Sequence, residues 1–456
     1  MKKMKSNIPR IMIASAMSGG GKTTAVCSLL RAMENMGYKT SPFKCGPDYI
    51  DPMYHRAACG KVGINLDLFF CSPEKLKTVF AENSKECDIA VIEGAMGYYD
   101  GRSMESAELS SYDTAKELGC PVVLILPAKG MAYTVVPLIK GMSEQFSNSR
   151  IAAVILNNVT KMTYMQLKPV IERETGIKAA GYIPRLDKEL KSRHLGLVTP
   201  EDAYNIEDVI SDTARIVSET VDIDLLIKLA ENTDELDYMP EENVTYGRVK
   251  IGVAYDKAFC FYYKDNIDIL KKYGAEPVMF SPLKDKALPD GICGILIGGG
   301  YPELYAKELS ENTTLLRDIK NKIQNNMPCL AECGGFMYLH SELESGDGIL
   351  YKMADVLKAK AFKTDKLVRF GYAEITGEHM LGTIKAHEFH YWDSTDNGSA
   401  CKAVKPGGKR SWECIHDKGN LFAGFPHLYY RSNEDFIKRF TDKCVEYERS
   451  IKCLSL

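Results

Sequence analysis

The residues best suited to chemistry lie far apart in this chain. Cys333 sits in CLAECGGF, while Lys22 and Thr23 belong to the run AMSGGGKTT. A cysteine between an apolar strand and a glycine-led helix start projects from a tight elbow, and the glycines permit both the bend and the approach of a substrate. Its thiol ordinarily ionises near about 8.5, so it needs a helix terminus and a base to become a nucleophile. In the other run, Gly19, Gly20 and Gly21 let backbone amides converge on phosphate oxygens at a helix start. Lys22 would reach the terminal phosphates, the Thr23 hydroxyl would hold Mg²⁺, and Thr24 continues the same nucleotide-binding turn. Ala16 stands where the usual phosphate loop has its first glycine. A chain with both devices breaks one bond covalently and drives another with ATP. That combination points to amide synthesis with glutamine as the nitrogen source.

Further candidates lie beside these two motifs. In FKCGPDYIDPMYH, Asp48 and Asp51 are held between Pro47 and Pro52, and carboxylates at such a strand end can bind Mg²⁺. A helix cap or Asx-turn is the competing role. Glu93 in VIEGAMGYYDG directly follows buried hydrophobes, where an unpartnered acid is costly and a cation would satisfy it. Asp100, in the loop beyond, is open between a functional and a turn role. His427 in FAGFPHLYY is the best base candidate for Cys333. Gly299 and Gly300 in GILIGGGYPE could donate the amides of an oxyanion hole. In AHEFHYW, His387 and Glu388 point to opposite faces of a strand, a poor zinc arrangement. Substrate contact or packing is the expected role there.

The elements that must position these residues alternate along the chain. RIMIASA, TSPFKCG, CDIAVIEGA, CPVVLILPA, RIAAVILNNV and KAAGYIPR read as strands. Helical patterns such as KTTAVCSLLRAMENMG and TYMQLKPVIERETG lie between them. Continuous apolar strands separated by helices describe an α/β parallel sheet covered on both faces. LAENTDELDYMPEENVTYGR then carries six acidic residues and little periodicity, and reads as a solvated linker. The expected organisation is an ATP-binding domain over 1–225, a linker over 226–248 and a second α/β domain over 249–456. A long helical segment is expected from Pro302 to about Asn326.

Composition excludes several classes. With 58 Lys plus Arg against 61 Asp plus Glu, the net charge of −3 lacks the basic excess of a nucleic-acid binder. No apolar stretch approaches the roughly 18 residues of a spanning helix. The basic start followed by IMIASAM imitates a signal peptide, but cleavage there would remove the first strand. The 14 cysteines show neither CxxC pairs nor dense disulfide spacing, which fits reduced thiols in the cytoplasm.

Taken in order, the phosphate loop, KCGPDYIDP, NLD at Asn65 to Asp67, EGAMGYYDG, SRHLGLV, GGGYPE, AECGG, HEFHYW and PHLYY resemble the cobyrinic acid a,c-diamide synthase family across nearly the whole chain. The resemblance implies a dethiobiotin-synthetase-like ATP domain joined to a class I glutamine amidotransferase domain. It also implies ATP- and Mg²⁺-dependent amidation of the a and c acetate groups of a corrin. By the same resemblance, Lys22 and Thr23 match the phosphate and Mg²⁺ positions, and Asp48 and Glu93 match metal ligands. Tyr49, Ile50, Asp51 and Asp100 match positions for substrate binding and carboxylate activation, and Lys44 a lysine near the transferring phosphate. Asn157, with Asn158, matches the adenine-side asparagine. Partners are therefore ATP, glutamine and a tetrapyrrole, without nucleic acid or membrane, and a homodimer stays open.

One departure stands out. Class I amidotransferases usually place Glu two residues after the catalytic histidine, and here that position is Tyr429. A Cys333–His427 dyad is expected, with the third role unassigned. Nickel sirohydrochlorin remains an alternative acceptor. A nucleotide-switched binding protein of the partition-ATPase type remains an alternative from another class.

Overall fold

The computed structural model describes residues 3–186, 190, 192–193, 196–197, 199–200, 205–241, 248–378, 380 and 382–454. They form two compact units, Met1–Glu241 and Glu242–Leu456. His194, Leu195 and Val198 of the SRHLGLV motif lie outside the described residues.

In the first unit the apolar runs become a seven-stranded sheet. Its order across is Ile64–Leu66, Thr40–Cys45, Ile89–Glu93, Arg10–Ser15, Val122–Pro127, Ile151–Asn157 and Lys178–Ile183. Every pairing is parallel. The central strands are buried throughout, as expected when helices cover both faces. A parallel sheet gathers all its carboxyl ends at one edge. Ser15 before the phosphate loop, Cys45 before GPDYID, Glu93 and Asn157 therefore share that edge, where open α/β sheets bind ligands.

The stretch expected to be a linker is in part folded. Ile223–Glu231 is a helix capped by Asp222, whose side chain accepts the Leu225 amide at 2.9 Å. It buries Ile223, Leu226, Ile227 and Ala230. Leu236–Tyr238 then pairs antiparallel with Met4–Ser6. The acidic residues of this stretch masked an apolar stripe at helical spacing, and that stripe decides the outcome.

The second unit has a six-stranded sheet ordered Ala275–Phe280, Val249–Ala254, Ile295–Ile297, Cys329–Glu332, Leu421–Gly424 and His416–Asp417. The first five strands are parallel and the short last one antiparallel. A five-stranded antiparallel sheet carries Arg369–Gly377, Ile384–His390 and, at one edge, His427–Leu428. The helical segment after Pro302 is not continuous. It divides into a 3₁₀ turn Pro302–Leu304 and helices Ala306–Glu311 and Thr313–Gln324. Asn312 marks the break, with its side-chain amide donating to Pro282 and Asp285 carbonyls at 2.8 and 2.7 Å.

Leu226→Ala should lower the stability of the first unit by about 2–5 kcal/mol, the usual cost of emptying a packed leucine site. Urea unfolding followed by circular dichroism measures this. A loss within about 0.5 kcal/mol, as for an exposed linker residue, would contradict the packed helix.

Candidate active sites

The phosphate loop leads into the helix Lys22–Asn35, whose N-cap Gly21 has φ 90° and no side-chain cap, so its first amides face outward. Sequence here is tightly constrained. A Cβ on Gly20 would collide with the Ser15 hydroxyl, and one on Gly21 with the Asn157 amide. Asn157 Nδ2 donates to Gly20 O at 3.1 Å, so this asparagine buttresses the loop from a neighbouring strand end. Lys22 Nζ folds back over the loop, donating to Met17 O at 3.3 Å and Met96 O at 2.5 Å. Burial first, and repulsion from Lys44 second, lower its ammonium to about 8. Asp100 is exposed, and its Oδ2 accepts the Gly97 amide at 2.8 Å in the loop that carries Met96.

Beneath the loop lies a buried charge cluster. Lys44 and Glu93 are register partners on adjacent strands. Lys44 Nζ stands 3.1 Å from Glu93 Oε1 and 2.5 Å from Asp51 Oδ2. Thr23 Oγ1 donates to Glu93 Oε1 at 2.7 Å and lies 3.3 Å from Asp51 Oδ1. His55 Nε2 is 2.7 Å from Glu93 Oε2. Burial alone would raise the Glu93 carboxyl, but Lys44, His55 and Thr23 together hold it below the usual range. Burial works against the Lys44 ammonium, yet Asp51 and Glu93 reverse this and raise it. The Asp51 carboxyl is raised by burial and then by Asp48 and Glu93. One ammonium thus lies between two acids, Glu93 favoured as carboxylate and Asp51 favoured in its neutral form.

Asp48 takes the capping role. Its Oδ1 accepts the amides of Ile50 and Asp51 at 2.7 and 3.3 Å, opening the helix Ile50–Cys59. The oxygen beside Thr23 and Glu93 belongs instead to Asp51, one helical turn before His55. Tyr49 precedes the helix, and Ile50 is buried at its start. Among the described residues, no group of three or more His, Cys, Asp or Glu could hold a metal ion unaided. A hydroxyl and two carboxylates do suit Mg²⁺, which takes oxygen ligands and leans on nucleotide phosphates for the rest. Such a cation would also favour the ionised form of Asp51, which burial opposes.

In the second unit Cys333 directly follows the strand Cys329–Glu332, at φ 48° and ψ −104°, strained for a non-glycine residue. The Cys333 amide donates to Gly424 O at 2.8 Å, and the Gly335 amide to Gly298 O at 2.9 Å. A Cβ on Gly335 would strike the Ile297 carbonyl, and one on Gly334 would stand 2.9 Å from Pro302 Cδ and 3.1 Å from the Gly300 nitrogen. The glycines after Cys333 are therefore packing requirements as well as hinges. Burial raises the Cys333 thiol far above its ordinary range, with Glu303 and Glu388 adding to it and the Gly334 amide opposing.

His427 lies on the short strand three residues beyond Gly424, and its ring occupies the space a Cβ on Gly299 would need. Burial, then His387 and His390, lower it to about 3. Its Nδ1 is 4.0 Å from Glu332 Oε2. Glu332, adjacent to the thiol, accepts from Tyr430 Oη at 2.9 Å and is pushed up to about 8 by burial. Burial therefore favours the neutral form of thiol, imidazole and carboxyl alike. In the HEFHYW stretch, His390 is fixed by Glu388 at 2.9 Å and by Trp392 O at 2.6 Å, and stacks on Phe425. His387 is the register partner of His427.

Both units match known protein families. Residues 11–198 match the CobQ/CobB/MinD/ParA nucleotide binding domain, and residues 250–435 the CobB/CobQ-like glutamine amidotransferase domain. A cobyrinate a,c-diamide synthase from Caldanaerobacter subterraneus subsp. tengcongensis is 38% identical over 96% of this chain and 99% of its own length. That from Salmonella typhimurium is 36% identical over 94% and 96%. The chain belongs to the cobyrinate a,c-diamide synthase family. The solved structure of PurLQS from Thermotoga maritima aligns with 44% of this chain and 99% of its own, at 16% identity and a TM-score of 0.31.

For this family member, Tyr429 has an occupation of its own. Its hydroxyl donates to Asp265 Oδ2 at 2.5 Å, and Arg431 binds the same carboxylate. Sequence reasoning passed over two buried groups, His55 and Glu332. Both carried a signal: His55 is four residues from Asp51 on one helix face, and Glu332 ends an apolar strand just as Glu93 does. No helix among the described residues is long and apolar enough to cross a membrane.

Because burial raises its thiol, Cys333 should react with iodoacetamide far more slowly at pH 7.5 than the exposed Cys453, and still accelerate above pH 9. Peptide mass spectrometry after timed alkylation measures both rates. Equal rates at pH 7.5 would contradict the neutral resting thiol.

Proposed function

We propose that this protein is an ATP- and glutamine-dependent carbon–nitrogen ligase that amidates the a and c acetate groups of cobyrinic acid. The observation that carries the reading is one chain, matched over 96% of its length, with a strained cysteine elbow in one unit and a phosphate loop over a buried acidic cluster in the other. Its free thiols and its use of ATP fit the cytoplasm.

In the second unit, Cys333 Sγ attacks the side-chain amide carbon of glutamine as His427 takes the thiol proton. The tetrahedral oxyanion is met by backbone amides, with Gly299, Gly300 and Gly334 as the candidates. His427 returns the proton to the departing nitrogen, ammonia leaves, and water then hydrolyses the thioester to glutamate. Both members start neutral, so charge arises only when substrate lies in the dry site.

In the first unit, the outward amides around Gly19 to Gly21, together with Thr24, hold the nucleotide, with Asn157 fixing the loop. Lys22 meets developing charge on the transferred phosphoryl group, and phosphate oxygens favour its charged form. Mg²⁺, when held by Thr23, Glu93 and Asp51, supplies further neutralisation of phosphate charge. The γ-phosphoryl passes to an acetate oxygen and ADP leaves. Ammonia then forms the C–N bond and expels phosphate, which a free carboxylate could not do. Lys44 keeps Glu93 and Asp51 in place, while Tyr49, Ile50 and Asp100 are the substrate-side candidates.

Incubation with ATP, Mg²⁺, glutamine and cobyrinic acid, followed by mass spectrometry, should show two successive acid-to-amide changes. Turnover of nickel sirohydrochlorin in its place would move the acceptor, and ATP hydrolysis indifferent to any tetrapyrrole would refute the ligase. Cys333→Ala should abolish glutamine-driven synthesis and spare ammonia-driven synthesis. Asp51→Asn should cut ammonia-driven synthesis more than Asp48→Asn, because only Asp51 joins the Lys44 cluster. Equal losses would overturn that distinction.

A further inference from the structure

The family's usual carboxylate position is taken by Tyr429, yet His427 does not lack an acid. Its Nδ1 is 4.0 Å from Glu332 Oε2, outside hydrogen-bond length but within ion-pair reach. Histidine bonds in unliganded active sites often stand long and tighten around substrate. Of the other nearby acids, Glu388 is engaged by His390 and by Trp412 Nε1 at 3.2 Å, and Asp265 is held by Arg431 and Tyr429. Glu303 acts on the thiol side of the site, raising Cys333. Glu332 presents one oxygen to His427 while its second oxygen is fixed by the Tyr430 hydroxyl.

The position is also mechanically tight. Glu332 pairs with Gly424 across two parallel strands, His427 follows three residues later, and Glu332 is covalently joined to Cys333. A shift of the carboxyl would therefore move with the nucleophile. We propose that Glu332 is the positioning residue of the glutaminase centre, accepting the Nδ1 proton of His427 so that Nε2 faces the Cys333 thiol. It replaces, from the strand before the nucleophile, the glutamate that other class I enzymes carry two residues after the histidine. This rests on the Cys333–His427 reading above.

The sequence of events balances without any further reagent. With Glu332 ionised, as it is above about pH 8, the thiol proton moves to Nε2 as the sulfur–carbon bond forms, and the imidazolium is held by the Glu332 carboxylate. The proton leaves with ammonia, and the carboxylate keeps Nδ1–H through both halves of the reaction. His387 and His390 oppose a positive charge on His427, whereas the Glu332 carboxylate stabilises it.

Glu332→Gln preserves shape and the acceptor for Tyr430 but removes the charge. In the full-length enzyme we expect glutamine-driven kcat to fall about a hundredfold or more, as when a triad carboxylate becomes an amide. KM for glutamine should change little, ammonia-driven synthesis should persist, and Glu332→Asp should recover part of the rate. Wild-type glutaminase should lose activity as pH falls through about 8, where Glu332 takes up a proton, and Glu332→Gln should lose this limb. Near-wild-type kcat in Glu332→Gln would overturn the proposal, as would a parallel loss of ammonia-driven synthesis, which marks misfolding or a purely structural role. Cys333→Ala is the control. If it still uses glutamine, the Cys333 reading itself fails; if it does not and Glu332→Gln is fully active, only Glu332 is misassigned.

Discussion

A charged side chain at the carboxyl end of a buried strand must be neutralised by whatever lies beside it, and both sites of this protein are built on that constraint. Removing an ion from water costs several kcal/mol even after relaxation, so geometry and partners have to compensate. In the first unit Glu93 is fully buried, and parallel register sets Lys44 next to it. Asp51, His55 and Thr23 complete the shell. In the second unit Glu332 faces the same problem, and burial pushes its carboxyl up to about 8 while the Tyr430 hydroxyl bonds it.

The two solutions suit two chemistries. The first cluster keeps charge on Lys44 and Glu93, with Asp51 as a further acid that an incoming cation would ionise. The second holds thiol and imidazole without charge until substrate arrives, beside a carboxyl that burial raises. Burial gives each later proton transfer more weight, because charges separated in a dry site interact strongly. The strained Cys333 backbone is held by its neighbours: the Gly424 and Gly298 carbonyls anchor the elbow, and Ile297 and Pro302 leave no room for side chains after it.

Much of this was legible in the sequence because it is local. GGGKTT and AECGG need glycine at fixed positions for backbone reasons, and the glycine clashes at 20, 21, 334 and 335 show why. The apolar strands and their parallel arrangement followed from continuous hydrophobic runs. Two elements differ from the sequence reading for physical reasons: the acidic stretch around residue 225 concealed a helical stripe of Ile223, Leu226, Ile227 and Ala230, and the helical segment after Pro302 breaks at Asn312, whose side chain bonds outside it. Asp48 caps a helix, and Asp51, turned inward by that helix, meets Lys44.

The sequence by itself determined that a cysteine elbow and a phosphate loop share this chain, because each is specified by a few contiguous residues and their backbone needs. Only the tertiary structure decided which acids serve them. Glu93, Asp51 and Glu332 lie 70, 28 and 95 residues from Thr23, Thr23 and His427, the groups they meet. Strand order and register, which no local pattern encodes, bring those side chains together, and burial then fixes which of them carry charge.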